Sequence, residues 1–516
     1  MADVPIEPQA MAGPRLMEGS AADSPAAKPH AAGGSSVEGS GPELLVAERF
    51  RGDSRVAEAR RLLADALAEY SAELSEVRRP LPGREAAYAD LLAELGVARG
   101  GTPILPYLAA GLGNGPWVEL ADGSVKLDFI SGIGVHGLGH SHPRMLQASI
   151  DGALEDVVMQ GNLQQHPPSL WMCQRLLELS REGGAELEHC LLTTSGAMAN
   201  ENAIKLALHA RSLGPGGPAN RILAFENVFA GRSLALAALT DRAAYRQGLP
   251  LALEVDYLPF RDPADPQRSR ERAVAEMHRL LSRFPGRYAA FWAEPMAGEG
   301  GYYEGDHEFF AALCQPLRDA GIPIIFDEIQ TFARLSKPFA FQHYGLDRWV
   351  DIVTVGKITQ VCATLYRGSL KPAAPILSQT FTGSSGSIAA GLAVLEHLQR
   401  SGCFGEDGQN VRRHAHVASA LAALAEEFPR RVAGPFGAGM MIALTPGNGS
   451  AAAAKWLLDT MYAAGLIGFV CGGEPSRIRF LPPPGATDEQ HLDLALQIVR
   501  EAVAAMPEEH WAAPQA

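Results

Sequence analysis

Lys357 is the residue whose type and setting best suit covalent chemistry. It follows Gly356 and the β-branched apolar run 351–355, a pattern that predicts a buried strand ending at a flexible residue. Burial disfavours the ammonium form and lowers the pKa of a lysine. A neutral amine can form a Schiff base with an aldehyde such as pyridoxal phosphate (PLP). The alternative is a solvated lysine that only ends a strand.

A phosphate site is predicted where a strand-like run passes into a helix. Residues 190–193 are followed by Ser195, Gly196 and Ala197, after which apolar residues recur at helical spacing. Free N–H groups and the positive end of the helix dipole make such a start a phosphate site. The alternative is that Ser195 is an ordinary helix N-cap.

A carboxylate is predicted at the end of another buried strand. The apolar run 323–326 ends in Asp327 and Glu328. Ligands of open α/β sheets bind at the carboxyl ends of the strands, and one further excursion brings the chain back to Lys357 at that edge. A carboxylate opposite a pyridine nitrogen keeps that nitrogen protonated, so the ring can accept electrons. The alternative is an acid that caps the next turn.

The elements that must position these residues follow from the hydrophobic pattern. Strand-like and helical runs alternate from about Pro167 to Leu377, which indicates βα units and a mainly parallel sheet. Arg221–Phe225 and Tyr288–Ala293 are the other strands predicted there. Helical periodicity covers about residues 47–95, two strand-like runs meet at an Asp-Gly turn within 117–129, and a long helix follows Gly386.

The predicted organisation has four parts. Residues 1–45 are rich in Ala, Gly, Ser and Pro and are expected to be a disordered tail. Residues 46–165 are expected to form an N-terminal helical segment and part of a small domain. Residues 166–385 would form the large cofactor-binding domain, and residues 386–516 the C-terminal small domain. The expected fold is therefore α/β, a mainly parallel sheet flanked by helices plus a smaller α+β domain.

Composition narrows the classes of function. The chain has 516 residues and a net charge of −14, which argues against nucleic acid and anionic membrane surfaces as partners. Six scattered cysteines without a C-x-x-C motif disfavour a disulfide or zinc framework. No apolar run reaches transmembrane length, and the first residues lack a signal-peptide core. We therefore expect a cytoplasmic protein.

Several ordered sequence blocks resemble those of the class III aminotransferases, which are PLP-dependent enzymes of fold type I. The resemblance spans roughly residues 103–484. It rests on residues 127–135 with 139–143, 194–205, 229–233, 294–301, and 326–334 with 339–345. These blocks are similar to those of acetylornithine, ornithine, lysine and 4-aminobutyrate aminotransferases. The resemblance therefore implies a PLP-dependent transaminase.

The resemblance also implies the residues that hold the cofactor. Lys357 would be the Schiff-base and catalytic lysine, and Asp327 would pair with the pyridinium nitrogen. The other cofactor-binding residues would be Gln330 at the ring oxygen, Phe229 on the ring face, and Ser195, Gly196 and Ala197 at the phosphate. Thr380 matches a threonine that reaches the phosphate of the neighbouring subunit. That match implies a homodimer with shared active sites.

Three charged residues match the substrate-binding positions of the family. Arg479 matches the arginine that binds the substrate carboxylate, and a planar guanidinium suits bidentate capture of that group. In the resembling enzymes a glutamate, here Glu299, covers this arginine while an ω-amine reacts, and Arg232 matches an arginine for the distal carboxylate. The resemblance thus implies an ω-amino donor with 2-oxoglutarate as acceptor, giving glutamate. The alternative for each charge is a surface ion pair.

The chain departs from the family pattern at four places. Ala230 replaces a histidine, and Ala197 with Met198 replaces a Thr-Glu or Ser-Glu pair. Residues 358–362 replace a glycine-rich stretch, and residues 383–387 replace G-G-N-P. His140 and His142 form an H-x-H pair without a third metal ligand, so no metal site is predicted.

Two other functions stay open at this stage. One is a different PLP reaction of a class III relative, as in a decarboxylating transaminase or an aminomutase. The other is a non-catalytic PLP-fold binding protein.

Overall fold

The computed structural model describes residues 43–161, 163–213 and 218–512. Residues up to Gly52 form a separate unit, in which the helix Val46–Arg51 is described. Residues from Asp53 onward form one compact unit. Apart from residues 43–45, the predicted tail of residues 1–45 lies outside the described residues. The domain boundaries predicted after residues 165 and 385 stay predictions.

A seven-stranded sheet forms the centre of the compact unit. Its strands run parallel except Cys362–Tyr366, which is antiparallel to both of its neighbours. The inner strands are fully buried runs of apolar residues, as expected for a sheet covered on both faces. The order across the sheet is His189–Thr193, Cys362–Tyr366, Ile352–Val355, Ile324–Asp327, Tyr288–Ala293, Arg221–Phe225 and Glu254–Leu258.

The prediction of an α/β fold with a mainly parallel sheet is confirmed. The strands Arg221–Phe225 and Tyr288–Ala293 begin and end as predicted. Of the other three predicted strands, two differ by one residue at one end and Ile324–Asp327 by one residue at each end. Two strands were missed. Glu254–Leu258 is an edge strand with two acidic residues, so it lacks an apolar run. Cys362–Tyr366 begins within residues 358–362, which the sequence analysis treated only as a replacement for the family's glycine-rich stretch and not as part of a strand.

Helices connect and cover these strands. Side chains at their N-termini stabilise several of them, as where Asp265 and Asp306 accept hydrogen bonds from Arg268 N and Phe309 N. The α-helices of this part are Pro167–Arg181, Gly196–Ser212, Leu234–Leu239, Pro266–Arg283, His307–Asp319 and Ala340–His343. Three 3₁₀ turns, Ala243–Tyr245, Lys357–Thr359 and Gly368–Leu370, complete it.

A four-stranded sheet joins an early part of the chain to a late one. Its strands, in order, are Ala109–Asn114, Trp117–Leu120, Val125–Asp128 and Leu466–Ile467. The predicted pair of strands around Asp122 and Gly123 is therefore confirmed. Helices Ser54–Ser71 and Glu85–Arg99 precede this sheet, and Pro143–Ala153 follows its third strand. The helical periodicity of residues 47–95 is thus broken at residues 72–84, which contain two prolines.

The C-terminal part combines four helices with a second four-stranded sheet. The strands of this sheet, in order, are Val432–Phe436, Ile442–Pro446, Ser476–Phe480 and Phe469–Gly472. The helices are Ser385–Arg400, Gln409–Glu427, Ala451–Ala464 and Glu489–Ala504, followed by the 3₁₀ turn Glu508–His510. Two further pairs of short strands join Met159–Gln160 to Gly383–Ser384, and Met296–Ala297 to Tyr303–Glu304.

None of the helices in the described part of the chain has both the length and the apolar character that crossing a membrane requires. The six cysteines are all free thiols.

Gly152 lets the helices Pro143–Ala153 and Ser385–Arg400 approach closely. A Cβ atom added to Gly152 would lie 2.4 Å from the Cα atom of Gly386, which no ordinary packing allows. A Cβ atom added to Gly386 would meet no heavy atom within 4 Å. This contact lies beside the strand pair that contains Gln160 and Gly383, so it fixes the end of the segment that carries Thr380.

We predict that Gly152→Ala lowers the free energy of unfolding by about 1–3 kcal/mol, because the added methyl group overpacks the helix contact. Gly386→Ala is the matched control and should change it by less than about 1 kcal/mol, in the stabilising direction. Urea denaturation at a fixed protein concentration measures both. Equal effects of the two substitutions would contradict the close contact.

Candidate active site

A cavity of about 260 Å³ opens where the central sheet ends. The carboxyl ends of parallel strands and the start of a helix meet there, as in other open α/β sheets. Of the predicted site residues, the cavity is lined by Gly196, Ala197, Phe229, Arg232, Asp327, Gln330 and Lys357. The structure therefore brings together groups that are separated by up to 161 positions in the sequence, from Gly196 to Lys357.

Lys357 enters this cavity from a strained backbone. The strand Ile352–Val355 ends at an extended Gly356, and Lys357 then has a φ of 54°, in the left-handed region. The Gln360 side chain holds this turn by donating a hydrogen bond to the Val135 carbonyl at 2.9 Å. A non-glycine residue in this region is costly, and such residues concentrate at functional sites.

The pKa of the Lys357 amine is lowered toward neutral pH. Burial is the main cause that lowers its pKa to about 8, and the positive charge of Arg479 acts in the same direction. The carboxylates of Glu299 and Asp327 oppose this shift. A pKa of about 8 leaves roughly a tenth of the amine unprotonated at pH 7, far more than for a lysine in water, which favours reaction as a nucleophile or a base.

Asp327 lies on the strand next to Lys357's strand, paired in register with Thr354. One of its carboxylate oxygens accepts from Asn200 Nδ2 at 2.7 Å, and the other accepts from Ile329 N at 2.9 Å. It thus caps the next turn and also lines the cavity. Burial raises the pKa of Asp327 to about 6, and these hydrogen bonds limit the rise.

The adjacent acid, Glu328, has a purely structural setting. Its carboxylate accepts hydrogen bonds from Ala340 N at 2.6 Å and Phe341 N at 2.8 Å, at the start of a short helix. The two neighbouring acids therefore divide the roles that were predicted for the pair.

The start of the helix Gly196–Ser212 forms the opposite wall of the cavity. Ser195 is its N-cap, since its hydroxyl accepts from Met198 N at 3.2 Å. The N–H groups of Gly196 and Ala197 occupy the first two helical positions, where no intrahelical acceptor exists. A Cβ atom on Gly196 would lie 3.1 Å from the Ile329 side chain, so the glycine keeps this wall open.

Arg479 and the half-buried Glu299 form an ion pair beside Gln330. Arg479 Nη1 lies 2.6 Å from a Glu299 carboxylate oxygen and donates to Gln330 Oε1 at 3.3 Å. Arg479 is fully buried. Burial opposes ionisation of Glu299, but Arg479 outweighs it and keeps the pKa of the carboxyl below its usual value. The alternative of a surface ion pair is excluded for these two residues.

Phe229 and Arg232 approach the cavity from one loop. Phe229 N donates to Glu294 Oε1 at 3.0 Å, which fixes the backbone next to the aromatic ring. Arg232 is exposed, and its guanidinium carbon lies 4.0 Å from the centre of the Tyr245 ring.

Ser195, Glu299 and Arg479 do not line the cavity themselves, but each adjoins a residue that does. Thr380 lies apart from it. It is exposed in a separate surface depression, with Gly161, Gln164 and Phe381 among the residues around it. One chain therefore does not bring Thr380 to Lys357.

Two cavity residues were not singled out from the sequence. Asn200, which holds Asp327, is a buried amide inside a helix whose inner face is otherwise mostly small and apolar. Glu294 follows the fully buried strand Tyr288–Ala293, the same signal that identified Asp327. Burial and the nearby Asp327 charge raise the pKa of Glu294 to about 8. Its two oxygens accept from Phe229 N and Gly298 N, so it connects two walls of the cavity.

The histidines of the H-x-H pair have separate structural contacts. His140 Nε2 lies 2.9 Å from Asp128 Oδ2. His142 is the N-cap of the helix Pro143–Ala153 and accepts from Arg144 N at 3.1 Å.

The groups around the cavity suit the four functional parts of PLP. Lys357 offers an amine to the aldehyde, and Asp327 offers a buried carboxylate to the ring nitrogen. Gly196 and Ala197 offer free N–H groups to the phosphate, and Phe229 offers an aromatic face to the ring. The fold and the site therefore define a PLP-dependent enzyme.

Comparison with known proteins gives the family. The chain belongs to the class III aminotransferases, since the profile of Aminotransferase class-III matches residues 97–503. The acetylornithine aminotransferase of Methanocaldococcus jannaschii is 28% identical over 398 residues, which cover 75% of this chain and 92% of that protein. The acetylornithine aminotransferase of Agrobacterium fabrum is 30% identical over 388 residues, covering 73% and 89%.

Solved structures share the fold at lower identity. The lysine aminotransferase of M. tuberculosis superposes with a TM-score of 0.71 and 23% identity, covering 80% of this chain and 99% of that one. The ornithine aminotransferase of Toxoplasma gondii gives a TM-score of 0.70 and 21% identity, covering 83% and 97%. An Arthrobacter phospholyase gives a TM-score of 0.70 and 21% identity, covering 81% and 100%.

We predict that the acetylation rate of Lys357 in the cofactor-free protein reaches half its maximum at a pH near 8 and not near 10.5, the ordinary pKa of a lysine. Glu299→Gln should move this midpoint to lower pH, because the Glu299 charge raises the pKa of the amine. Competitive labelling with acetic anhydride, followed by peptide mass spectrometry, measures the midpoint. A wild-type midpoint near 10.5 would show that burial does not control the amine.

Proposed function

We propose that this aminotransferase moves the amino group of an ω-amino donor to 2-oxoglutarate, giving glutamate. The observation that carries the proposal is the ion pair between the buried Arg479 and the half-buried Glu299, with 2.6 Å between its charged atoms. While Glu299 covers Arg479, the site does not present an uncompensated cation to an α-carboxylate. A donor that reacts through a terminal amine, far from its own α-carboxylate, suits this arrangement.

PLP, when bound, supplies an electrophilic carbonyl and a ring that accepts electrons from the substrate carbon. Lys357 would hold the cofactor in the resting enzyme and would then act as base and acid, taking the proton from the donor carbon and delivering it to the cofactor carbon C4′. Its pKa of about 8 suits both directions near neutral pH. Asp327, held by Asn200, keeps the ring nitrogen protonated.

The remaining cofactor contacts follow from the cavity walls. The N–H groups of Gly196 and Ala197 bind the phosphate, and Ser195 stabilises the helix start that presents them. Phe229 would cover one face of the ring, and Gln330, which accepts from Arg479, would face the ring oxygen. Each group orients the cofactor, so that the Lys357 amine stays close to the reacting carbon.

Glu299 acts as a gate in the second half of the reaction. When 2-oxoglutarate binds, its α-carboxylate takes the place of Glu299 at Arg479, and the glutamate side chain moves aside. Arg479 still has Nε and Nη2 without a partner among the described residues, so it has donors free for a bidentate contact. Arg232, exposed at the cavity, binds the distal carboxylate.

The functional form is a homodimer in this proposal. Thr380 lies outside the cavity of its own chain, in an exposed segment. In a dimer this segment reaches the neighbouring subunit, where Thr380 binds the phosphate.

The amine donor is proposed from the relatives. The relatives quoted above are named acetylornithine, lysine and ornithine aminotransferases, whose names all denote ω-amino compounds. The fold alone does not decide the reaction, because a phospholyase shares it.

A direct test uses Lys357→Ala. This variant should lose turnover by roughly a thousandfold or more, because it lacks the group that moves the proton. Glutamate formation from 2-oxoglutarate and a panel of donors (acetylornithine, ornithine, lysine, 4-aminobutyrate and putrescine) measures the activity. Near-wild-type turnover in the variant would overturn the role of Lys357. Release of carbon dioxide by the wild-type enzyme would favour a different PLP reaction. The same conclusion would follow if 2-oxoglutarate did not restore the starting absorbance of the bound cofactor after the donor has reacted.

The gate predicts a change in substrate preference. Glu299→Gln should raise the ratio of kcat/KM for glutamate to kcat/KM for the best ω-amine by roughly tenfold, because Arg479 is no longer neutralised. The two half-reactions are followed separately by the absorbance of the bound cofactor. Glu304→Gln is a control, since Glu304 is a nearby buried acid whose charge faces Arg261 instead. An unchanged ratio in Glu299→Gln would argue against the gate.

A further inference from the structure

Arg232 is held at the cavity by an aromatic ring and not by a carboxylate. Its guanidinium carbon lies 4.0 Å from the centre of the Tyr245 ring. Among the described residues, no salt bridge joins Arg232 to an acid, whereas Arg246 pairs with Asp241. Its full charge is therefore available to a bound anion, while the ring restricts where the guanidinium lies.

The Tyr245 ring also contacts the residue that faces the cofactor. Its ring centre lies 6.4 Å from that of Phe229, with the ring planes at 86°, a favourable edge-to-face arrangement. Arg232, Tyr245 and Phe229 thus form a continuous series of side-chain contacts. Arg232 and Phe229, at the two ends of this series, both line the cavity. The position of the guanidinium is in this way tied to the position of the cofactor-facing ring.

The segment that carries Tyr245 is anchored to the same loop. The Thr240 hydroxyl accepts from Ala230 N at 3.0 Å and from Gly231 N at 3.2 Å, and it donates to Gly231 O at 2.9 Å. These bonds fix the backbone directly before Arg232. Thr240 is fully buried, so this anchor is shielded from water.

The same segment reaches the gate residue. Arg242 Nη2 donates to the Glu299 carbonyl at 3.2 Å and to the Gly472 carbonyl at 3.0 Å. Residues 240–245 therefore contact both the segment that contains Glu299 and the loop that contains Arg232. Through these contacts, residues 240–245 link the backbone at Glu299 with the loop of Arg232.

We propose that Tyr245 is a specificity-determining residue, which places the Arg232 guanidinium for substrates that carry a second carboxylate. This inference rests on the proposed function, in which Arg232 binds the distal carboxylate. Tyr245 acts through Arg232 and touches neither reacting atom, so it is a positioning residue. The competing explanation is that the ring, with 38% of its surface exposed, only packs against the loop.

The test measures binding and does not depend on turnover. Isothermal titration of the PLP-loaded enzyme gives dissociation constants for glutarate, which has two carboxylates, and butyrate, which has one. Tyr245→Leu should weaken glutarate binding by roughly three- to tenfold, because the cation–π contact is lost. Butyrate binding should change by less than about twofold, since it does not use Arg232. Tyr245→Phe keeps the ring face and should bind glutarate within about twofold of wild type.

Kinetics and a second substitution separate positioning from folding. In Tyr245→Leu the KM for 2-oxoglutarate should rise while kcat stays within about twofold, because ground-state and transition-state binding fall together. An unchanged cofactor absorbance shows that the site is intact. Tyr245→Met repeats the test if the leucine variant is unstable, since methionine fills the space without an aromatic face.

Arg232→Gln distinguishes this inference from the proposed function. Both variants should weaken glutarate binding, and the double variant should be no weaker than Arg232→Gln alone, because Tyr245 acts through Arg232. If Arg232→Gln weakens glutarate binding and Tyr245→Leu does not, the inference is overturned and the role of Arg232 stands. If neither weakens it, the role of Arg232 in the proposed function fails and the inference fails with it.

Discussion

Burial of the Lys357 amine is the constraint on which the rest of the site depends. A lysine in water is almost wholly protonated at neutral pH and is then neither a nucleophile nor a base. Burial lowers the pKa of Lys357 to about 8, but a lone apolar pocket would not hold a cofactor with a charged ring and a phosphate. The site therefore places carboxylates and arginines around the amine, with opposing effects on its pKa. Glu299 and Asp327 raise it, and Arg479 and Arg334 lower it.

The sheet makes this balance possible. Parallel strands end at one edge, so Asp327, Lys357 and Glu294 follow strands that are neighbours or near-neighbours in the sheet. A second buried arginine supports the turn that faces this edge. Arg334 Nη2 donates to the Gly134 carbonyl at 2.8 Å, and the turn Ser131–Gly134 has positive φ values throughout. Burial lowers the pKa of Arg334 to about 10, and its positive charge acts on Lys357 without a carboxylate of its own.

The sequence allowed five of the seven strands of the central sheet and the three cavity walls to be predicted, because each depends on local chemistry. A buried apolar run, a terminal acid and a helix start with Ser195 are properties of a few adjacent residues. Glu254–Leu258 and Asn200 were missed for the opposite reason. The edge strand is defined by pairing with Arg221–Phe225, and the importance of Asn200 lies in its bond to Asp327, 127 positions away. Tyr245 likewise gains its role only from folding against Phe229 and Arg232.

The departure at residue 230 shows how such long-range contacts absorb a local change. Where the family carries a histidine, Ala230 brings no side-chain donor to the cavity. Asn200 connects this backbone to the acid, because its Nδ2 group donates both to the Ala230 carbonyl and to Asp327, each at 2.7 Å. The amide is 2% exposed, so both bonds form where an unpaired donor would be costly. Asp327 therefore keeps a fixed orientation toward the cavity without any contribution from the side chain at 230, and the backbone of the Phe229 loop is fixed by the same amide. The absence of a side-chain donor at residue 230 therefore leaves the setting of Asp327 intact and does not conflict with PLP chemistry at this site.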